Sequence, residues 1–201
     1  MRKPLVPLVK GPKSVLRSFT RQAGLLACLC LAAALPVRAE DKTSQLTTAE
    51  KFIEAFYSFN ANRLAPYLVH AGDSAQSITR YQAWAQGGNY KIVTRFPCKE
   101  DSNSQTIICR ITVQDDLVQA LQTGFDVTDS FHLTFTNNHI TSIETSSNDQ
   151  PVYYEAKRWV AEQYPGLMQG VCAEKAPSPA ECARAMALGY RAFFKHHQSA
   201  K

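Results

Sequence analysis

The sequence lacks the short motifs that identify several large enzyme classes. It contains no G-x-S-x-G elbow, no phosphate-binding loop and no His–Glu metal helix motif. These absences argue against a serine hydrolase of the elbow type, a P-loop enzyme and a zinc protease. Repeats and long linkers are also absent, and a length of 201 residues suits one domain of ordinary size.

Acidic residues are missing from the first 39 residues, which carry seven basic residues. The apolar run at 23–35 is shorter than the roughly 20 residues needed to span a bilayer. Residues 37–39, Val-Arg-Ala, offer the small side chains of a signal-peptidase site. We therefore expect a secretory signal over 1–39, cleaved after its last residue. An uncleaved anchor and a lipoprotein acylated at Cys28 or Cys30 are the alternatives.

Cleavage of this signal changes the charge of the protein. Seven of the 22 basic residues leave with it, so residues 40–201 carry 15 basic and 17 acidic residues, a net charge of −2. The +5 of the whole chain would favour polyanionic partners, whereas a mildly acidic chain does not. We expect an exported protein, periplasmic or secreted, with no nucleic-acid partner and no stable membrane anchor.

Cys-x-x-Cys spacing is absent as well, which argues against a zinc site. Four cysteines follow the signal, namely Cys98, Cys109, Cys172 and Cys182. An even number in an exported chain favours two disulfides, and three pairings are possible. Geometry favours the local pairs, Cys98 with Cys109 across a hairpin and Cys172 with Cys182 around a loop. We expect no metal site and no cofactor.

Hydrophobic periodicity divides the rest of the chain into helices, a sheet and further helices. The first predicted helix runs from the Thr47-x-x-Glu50 capping box to about Phe59, and a shorter helix follows a kink at 60–62. Three further helices are predicted, one over 77–86, one from about 151 and one from Ser178-Pro179. The predicted strands are 90–96, 107–113, 130–136 and 139–145. Residues 115–126 fit a strand extension or one helical turn, with Asp115-Asp116 as a solvated turn.

This order of elements predicts an α+β fold. Residues 40–46 form a flexible lead-in, and residues 47–150 form a cone-like domain of helices packed on a curved antiparallel sheet. Residues 151–197 add a helical extension packed on the same domain, and residues 198–201 form a tail.

Two segments carry a pattern that is typical of one superfamily. Residues 52–68 read FIEAFYSFNANRLAPYL, an amphipathic helix, an amide-rich kink and a second helix. Residues 129–144 read DSFHLTFTNNHITSIE, an acid before an apolar strand and a two-residue turn. The pair resembles the opening helices and closing hairpin of the nuclear transport factor 2-like superfamily, which includes ketosteroid isomerases and polyketide cyclases. The resemblance extends over about 47–145.

The resemblance implies a cone-shaped sheet, closed on one side by helices, with a pocket at its mouth. The isomerases use a tyrosine on the first helix, a base carboxylate, and a protonated acid on the penultimate strand. Asp129 matches the protonated acid, while Phe52 stands at the tyrosine position, with Tyr57 further along. Asp73 lies in a loop and does not fill the base position. The resemblance therefore implies the pocket without a complete isomerase set, and a possible homodimer formed through the sheet.

The candidate site residues allow two interpretations each. Asp129 is either a buried acid with a raised pKa that donates to a ligand carbonyl, or a strand-start acid near the surface. His132 alternates out of phase with the apolar residues of its strand, so it faces either the pocket or the outer side of the sheet. Tyr57, Tyr81 and Trp84 either line a ligand pocket together with Asp129 or pack in the core.

Three functions follow from these residues. The preferred hypothesis is an exported, non-catalytic module of the superfamily fold that binds a small hydrophobic ligand or an envelope protein. The second is a small isomerase or lyase that transfers protons in the pocket with Asp129, Tyr57 or His132. The third is a homodimeric or partner-docking protein, which an exposed apolar stripe through Tyr190, Phe193 and Phe194 would support.

Overall fold

The computed structural model describes residues 37–199, apart from residues 105 and 175. The predicted signal lies outside the described residues except for 37–39, which begin the first helix. The helices are α1 Val37–Phe56, α2 Ala61–Leu68, α3 Ser74–Gly87, α4 Asp116–Ala120, α5 Pro151–Gln163, α6 Pro165–Gln169 and α7 Pro179–Ser199. The strands are β1 Lys91–Arg95, β2 Lys99–Glu100, β3 Thr106–Gln114, β4 Val127–Thr136 and β5 His139–Ser147.

The strands form one open, curved antiparallel sheet in the order β1-β3-β4-β5, and β2 pairs with β3. Register shifts between Ile92 and Thr94 and between Thr134 and Phe135 interrupt two of the ladders. Irregularities of this kind increase local twist and bend a sheet. Helices, an antiparallel sheet and then further helices confirm the predicted α+β class.

The expectation of a flexible lead-in over 40–46 is wrong, because these residues form the N-terminal part of α1. Tertiary contacts hold this segment: Lys42 Nζ lies 2.6 Å from Glu100 Oε2, and Asn138 Nδ2 donates to Asp41 Oδ1 over 3.1 Å. The predicted capping box is not used either. Its carboxylate, Glu50, instead accepts from Arg95 Nη2 and lies within the helix.

Helices α1, α2 and α3 cover one face of the sheet and build the main core with it. Alternation along β4 points Phe131 and Leu133 at these helices, and both are fully buried. The ring of Phe131 lies 4.9 Å from that of Phe56 and 5.8 Å from that of Phe52, centroid to centroid. Gln82 of α3 donates to the carbonyl oxygens at the end of α1, which fixes the two helices against each other.

A second apolar cluster joins α4, α5 and α7. Tyr190 and Phe193 of the predicted docking stripe are buried in this cluster against neighbouring helices, so the stripe is not an exposed face. Helix α7 also crosses α3 closely, because Gly87 has no side chain: a Cβ there would lie 2.2 Å from the carbonyl oxygen of Ala180. Helix α7 extends to Ser199, so part of the predicted tail is helical.

Both predicted local disulfides are present. Cys98 and Cys109 have Cα atoms 4.2 Å apart and join the β2 hairpin to β3. Cys172 and Cys182 have Cα atoms 4.8 Å apart and join the segment after α6 to the first turns of α7. The second bridge thus constrains the loop that leads into the helix crossing α3.

Candidate functional site

The carboxyl group of Asp129 is buried on the core face of the sheet. Asp129 shares the alternation of Val127, Phe131 and Leu133 along β4, and its side chain is only 2% exposed. The expectation of a strand-start acid near the surface is therefore wrong. The strand begins three residues earlier than predicted, at Val127, which places Asp129 inside the ladder with a β3 neighbour and a β5 neighbour.

Two tyrosines from different segments of the chain approach this carboxyl group. Tyr57, which follows α1, donates its hydroxyl to Asp129 Oδ2 over 2.9 Å. Tyr81 of α3 brings a second hydroxyl to the same carboxyl group, and this hydroxyl favours the ionised form and lowers the pKa of Asp129. Burial raises the pKa of Asp129 to about 6, although the two hydroxyls favour the ionised form and oppose this shift. The raised pKa brings Asp129 close to the range of physiological pH.

Asp129 forms part of the wall of a cavity of about 460 Å³. A cavity of this volume is in the range of small-molecule sites. The wall combines four aromatic side chains, two carboxylates, two basic residues, a row of hydroxyl-bearing residues and two apolar residues. These are Tyr81, Trp84, Tyr90 and Tyr153; Asp129 and Asp149; Arg80 and Lys157; Thr145, Ser146 and Ser147; and Val127 and Pro179.

The structure thus brings together Asp129, Tyr81 and Trp84 of the candidate residues. Tyr57 touches the same carboxylate but is not among the residues that line the cavity. Its ring packs against Phe56 and Phe131, with centroids 5.0 and 6.3 Å away. Tyr57 is therefore positioned to orient the Asp129 carboxylate from the core side.

His132 does not join this group. It lies on the opposite face of the sheet, beside Glu144 across the β4–β5 ladder, and its Nε2 lies 3.3 Å from Ser146 Oγ. The interpretation that placed His132 in the pocket with Asp129 is wrong, because neighbouring positions on a regular strand point to opposite faces. The isomerase or lyase hypothesis therefore cannot use His132 together with Asp129.

A second buried acid, Asp115, was not anticipated. Its side chain is 3% exposed, and its Oδ1 accepts from the backbone nitrogens of Leu117 and Val118, which caps α4. Burial raises its pKa to about 6 against the effect of these two hydrogen bonds. The interpretation of Asp115-Asp116 as a solvated turn is thus wrong for Asp115. An aspartate directly before an apolar helical turn was the signal for this cap.

The aromatic wall of the cavity is half-buried and makes contacts with neighbouring residues. Burial raises the pKa of Tyr90 well above its ordinary value, and the nearby Asp115 and Asp129 raise it further. The pKa of the Tyr153 hydroxyl is also raised, first by burial and then by Asp149. The ring of Tyr153 meets that of Tyr190 edge-on at 5.2 Å. These hydroxyls are neutral at physiological pH and can only donate or accept hydrogen bonds.

The basic residues at the cavity are not paired with its acids. Arg80 donates from both terminal nitrogens to the carbonyl oxygens of Glu174 and Ala176, in the loop closed by the second disulfide. Lys157 is exposed on α5. The ion pairs among the described residues involve α1 instead, and Asp129 and Asp149 take part in none of them.

Within residues 37–199 as described, no group of three or more His, Cys, Asp or Glu residues could hold a metal ion. No helix in this range combines the length and the apolar character needed to cross a membrane.

Comparison with known proteins does not add to this description. No family model, no curated protein and no solved structure matches this chain.

Proposed function

We propose that this chain is an exported protein whose cavity beside Asp129 binds a small organic molecule. The observation that carries the proposal is a buried carboxyl group, hydrogen-bonded by Tyr57 and close to Tyr81, in the wall of a cavity of about 460 Å³. Apolar and aromatic walls with a few convergent polar groups are typical of ligand sites. Two disulfides support an oxidising compartment, and a basic, acid-free leader supports export.

The superfamily resemblance is part of the same proposal. Helices followed by an open antiparallel sheet, with an acid on the penultimate strand, agree with the nuclear transport factor 2-like pattern. A pocket between the helices and the sheet agrees with it as well. A ligand-binding role without the isomerase set remains the preferred function, with an envelope protein as the alternative partner.

Material that co-purifies with the protein tests this function. Thr145 lies on the core face of β5 opposite Phe131 and lines the cavity, so Thr145→Trp would fill it. Glu144→Trp is the matched control, since Glu144 is the exposed neighbour on the outer face. We expect mass spectrometry of extracts from the exported fraction to find one small molecule with wild type and with Glu144→Trp. The molecule should be absent from Thr145→Trp.

The opposite pattern would overturn the proposal. Equal retention by Thr145→Trp would place the ligand elsewhere, and an associated protein in place of a small molecule would favour the docking alternative. The same sample tests export, because the purified chain should begin at Glu40 and its four remaining cysteines should be oxidised.

Proton transfer is a second candidate function, favoured by one observation. Asp129, with a pKa of about 6 and hydroxyl neighbours in a cavity, fits the requirement for a general acid or base that works near neutral pH. An isomerase or lyase would exchange a carbon-bound proton of its ligand. Deuterium uptake into the co-purified molecule in D₂O, lost in Asp129→Asn but kept in Asp73→Asn, would support catalysis. No uptake with wild type would leave binding alone.

A further inference from the structure

The charge distribution at the cavity selects among possible ligands. Its two carboxylates, Asp129 and Asp149, form no ion pair with any basic side chain of the described residues. Asp115 is a third acid whose charge acts on Asp129. A carboxylate that is removed from water without a cationic partner is costly, and a bound cation offsets that cost.

The basic side chains at the cavity do not supply that cation. The guanidinium of Arg80 is committed to the two carbonyl oxygens of the disulfide loop, at 3.1 and 3.0 Å. Lys157 is exposed to water. The strongest influences on the Asp129 carboxyl are its burial, the hydroxyls of Tyr81 and Tyr57, and the neighbouring acids, with no basic group among them.

The aromatic wall points to the same ligand charge. Trp84, Tyr81, Tyr90 and Tyr153 surround the space beside Asp129. Aromatic rings attract cations through their quadrupole, most strongly in the case of tryptophan, and such rings form the cages that bind quaternary ammonium groups. The rings also offer apolar surface to the body of a ligand. An anion would meet two carboxylates and these electron-rich rings.

We propose that the cavity takes an organic cation, an ammonium group on an aromatic or alkyl body, with Asp129 as its counter-charge. This inference rests on the proposed ligand-binding function and specifies the chemical class of the ligand. The ammonium group accepts no hydrogen bonds and donates to the Asp129 carboxylate, while the body of the ligand contacts Trp84 and the tyrosine rings.

Three probes that share a phenyl ring and differ in charge test the inference. Phenethylammonium, 2-phenylethanol and phenylacetate are titrated into the full exported chain at pH 7.5, with Kd measured by ligand-observed NMR. We expect phenethylammonium to bind at least about tenfold more tightly than 2-phenylethanol, and phenylacetate to bind most weakly. Thr145→Trp should abolish the binding of all three, whereas Glu144→Trp should leave it unchanged.

Variants assign the preference to one residue. Asp129→Asn should bring the Kd of phenethylammonium to that of 2-phenylethanol, and should change the latter by less than about twofold. Asp73→Asn is the matched control, because Asp73 is exposed, caps nothing with its side chain and removes the same net charge. It should leave the preference for the cation intact.

Lower pH supplies an independent readout. Protonation of Asp129, whose pKa is about 6, removes the counter-charge, so the preference for phenethylammonium should fall about tenfold between pH 7.5 and pH 5. The other titratable or charged groups around Asp129 and the cavity are Tyr57, Tyr81, Tyr90, Tyr153, Asp115, Asp149, Arg80 and Lys157. Asp115→Asn separates the contribution of Asp115, which titrates in the same range.

The outcomes separate this inference from the proposed function. Equal binding of all three probes at pH 7.5, or a preference for phenethylammonium that does not change between pH 7.5 and pH 5, would overturn the cation inference and leave the ligand site standing. Absence of binding by every probe, or binding that Thr145→Trp does not affect, would overturn both.

Discussion

Tyr57 Oη lies 2.9 Å from Asp129 Oδ2, although 72 residues separate the two positions in the chain. The contact joins the end of α1 to the middle of the sheet at the wall of the cavity. It gives the carboxylate a hydrogen bond that water would otherwise supply, and it fixes the carboxylate relative to the aromatic core. The properties of the site therefore depend on this pair.

Tyr57→Phe should raise the pKa of Asp129 still further, because the lost hydroxyl favours the ionised form. The free energy of unfolding at pH 8 should fall by about 1.5 kcal/mol, as expected for a buried hydrogen bond to a charged group. NMR titration of the Asp129 carboxyl carbon and urea denaturation measure the two effects. Tyr154→Phe, which removes an exposed hydroxyl, is the control and should change neither quantity noticeably. An unchanged Asp129 titration in Tyr57→Phe would contradict the described contact.

Stability should depend on pH through the two buried acids. Asp129 and Asp115 have folded-state pKa values of about 6, whereas an aspartate in the unfolded chain titrates near 4. The folded state therefore holds these protons more tightly, and their ionisation lowers the free energy of unfolding as the pH rises from about 4 to 6.

Denaturation curves of Asp129→Asn across this range isolate one of these contributions. Relative to wild type, the variant should gain about 2 kcal/mol in free energy of unfolding between pH 4 and pH 7.5. Asp115→Asn should gain similarly, and the exposed Asp73→Asn should not. Parallel curves for wild type and Asp129→Asn would show that Asp129 does not titrate above its unfolded value.

Gly87→Ala tests the close crossing of α3 and α7. The new Cβ would meet the backbone of Ala180 at 2.2 Å, and backbone atoms cannot rotate away as a side chain can. We expect a loss of about 2 kcal/mol in free energy of unfolding, in the range of overpacking substitutions. Gly166→Ala is the control, since its Cβ would meet nothing within 4 Å. Equal stability of the two variants in urea denaturation would contradict the crossing.

Removal of the Cys172–Cys182 bridge should affect both stability and the site. The double substitution to alanine opens a loop of 10 residues in sequence separation and should cost about 3 kcal/mol in free energy of unfolding. It also frees the loop whose carbonyl oxygens accept from Arg80. The guanidinium of Arg80 is then released beside the cavity, and its positive charge should weaken the binding of phenethylammonium. The matched Cys98–Cys109 removal should cost similar stability but leave the Kd unchanged. Identical effects of the two removals on the Kd of phenethylammonium would show that the contacts of Arg80 with this loop do not influence ligand binding.

Much of the fold could be predicted because its signals are local. Cysteine spacing and the polar turn between two strands were sufficient for the first disulfide, and period-two alternation was sufficient for the main strands. The helical state of 40–46 was not accessible in this way. That segment is polar, and its ordering depends on contacts such as Lys42 with Glu100, 58 residues away.

The site was predictable only in part, for a similar reason. Asp129 stands two residues before Phe131, so the alternation already placed it on the core face, and only the late predicted start of β4 concealed this. The burial of Asp115 and the convergence of Tyr81, Tyr90 and Tyr153 depend on tertiary packing. No local pattern in the sequence encodes those distances.

The proposed role of the protein depends most on the cavity beside Asp129 being a ligand site. Amide chemical-shift mapping of the exported chain with phenethylammonium at pH 7.5 tests this directly. We predict that the largest shifts fall at Tyr81, Trp84, Asp129 and Tyr153, which line the cavity, and disappear in Thr145→Trp. Shifts centred on His132 and the outer face of the sheet, or no shifts at all, would contradict it.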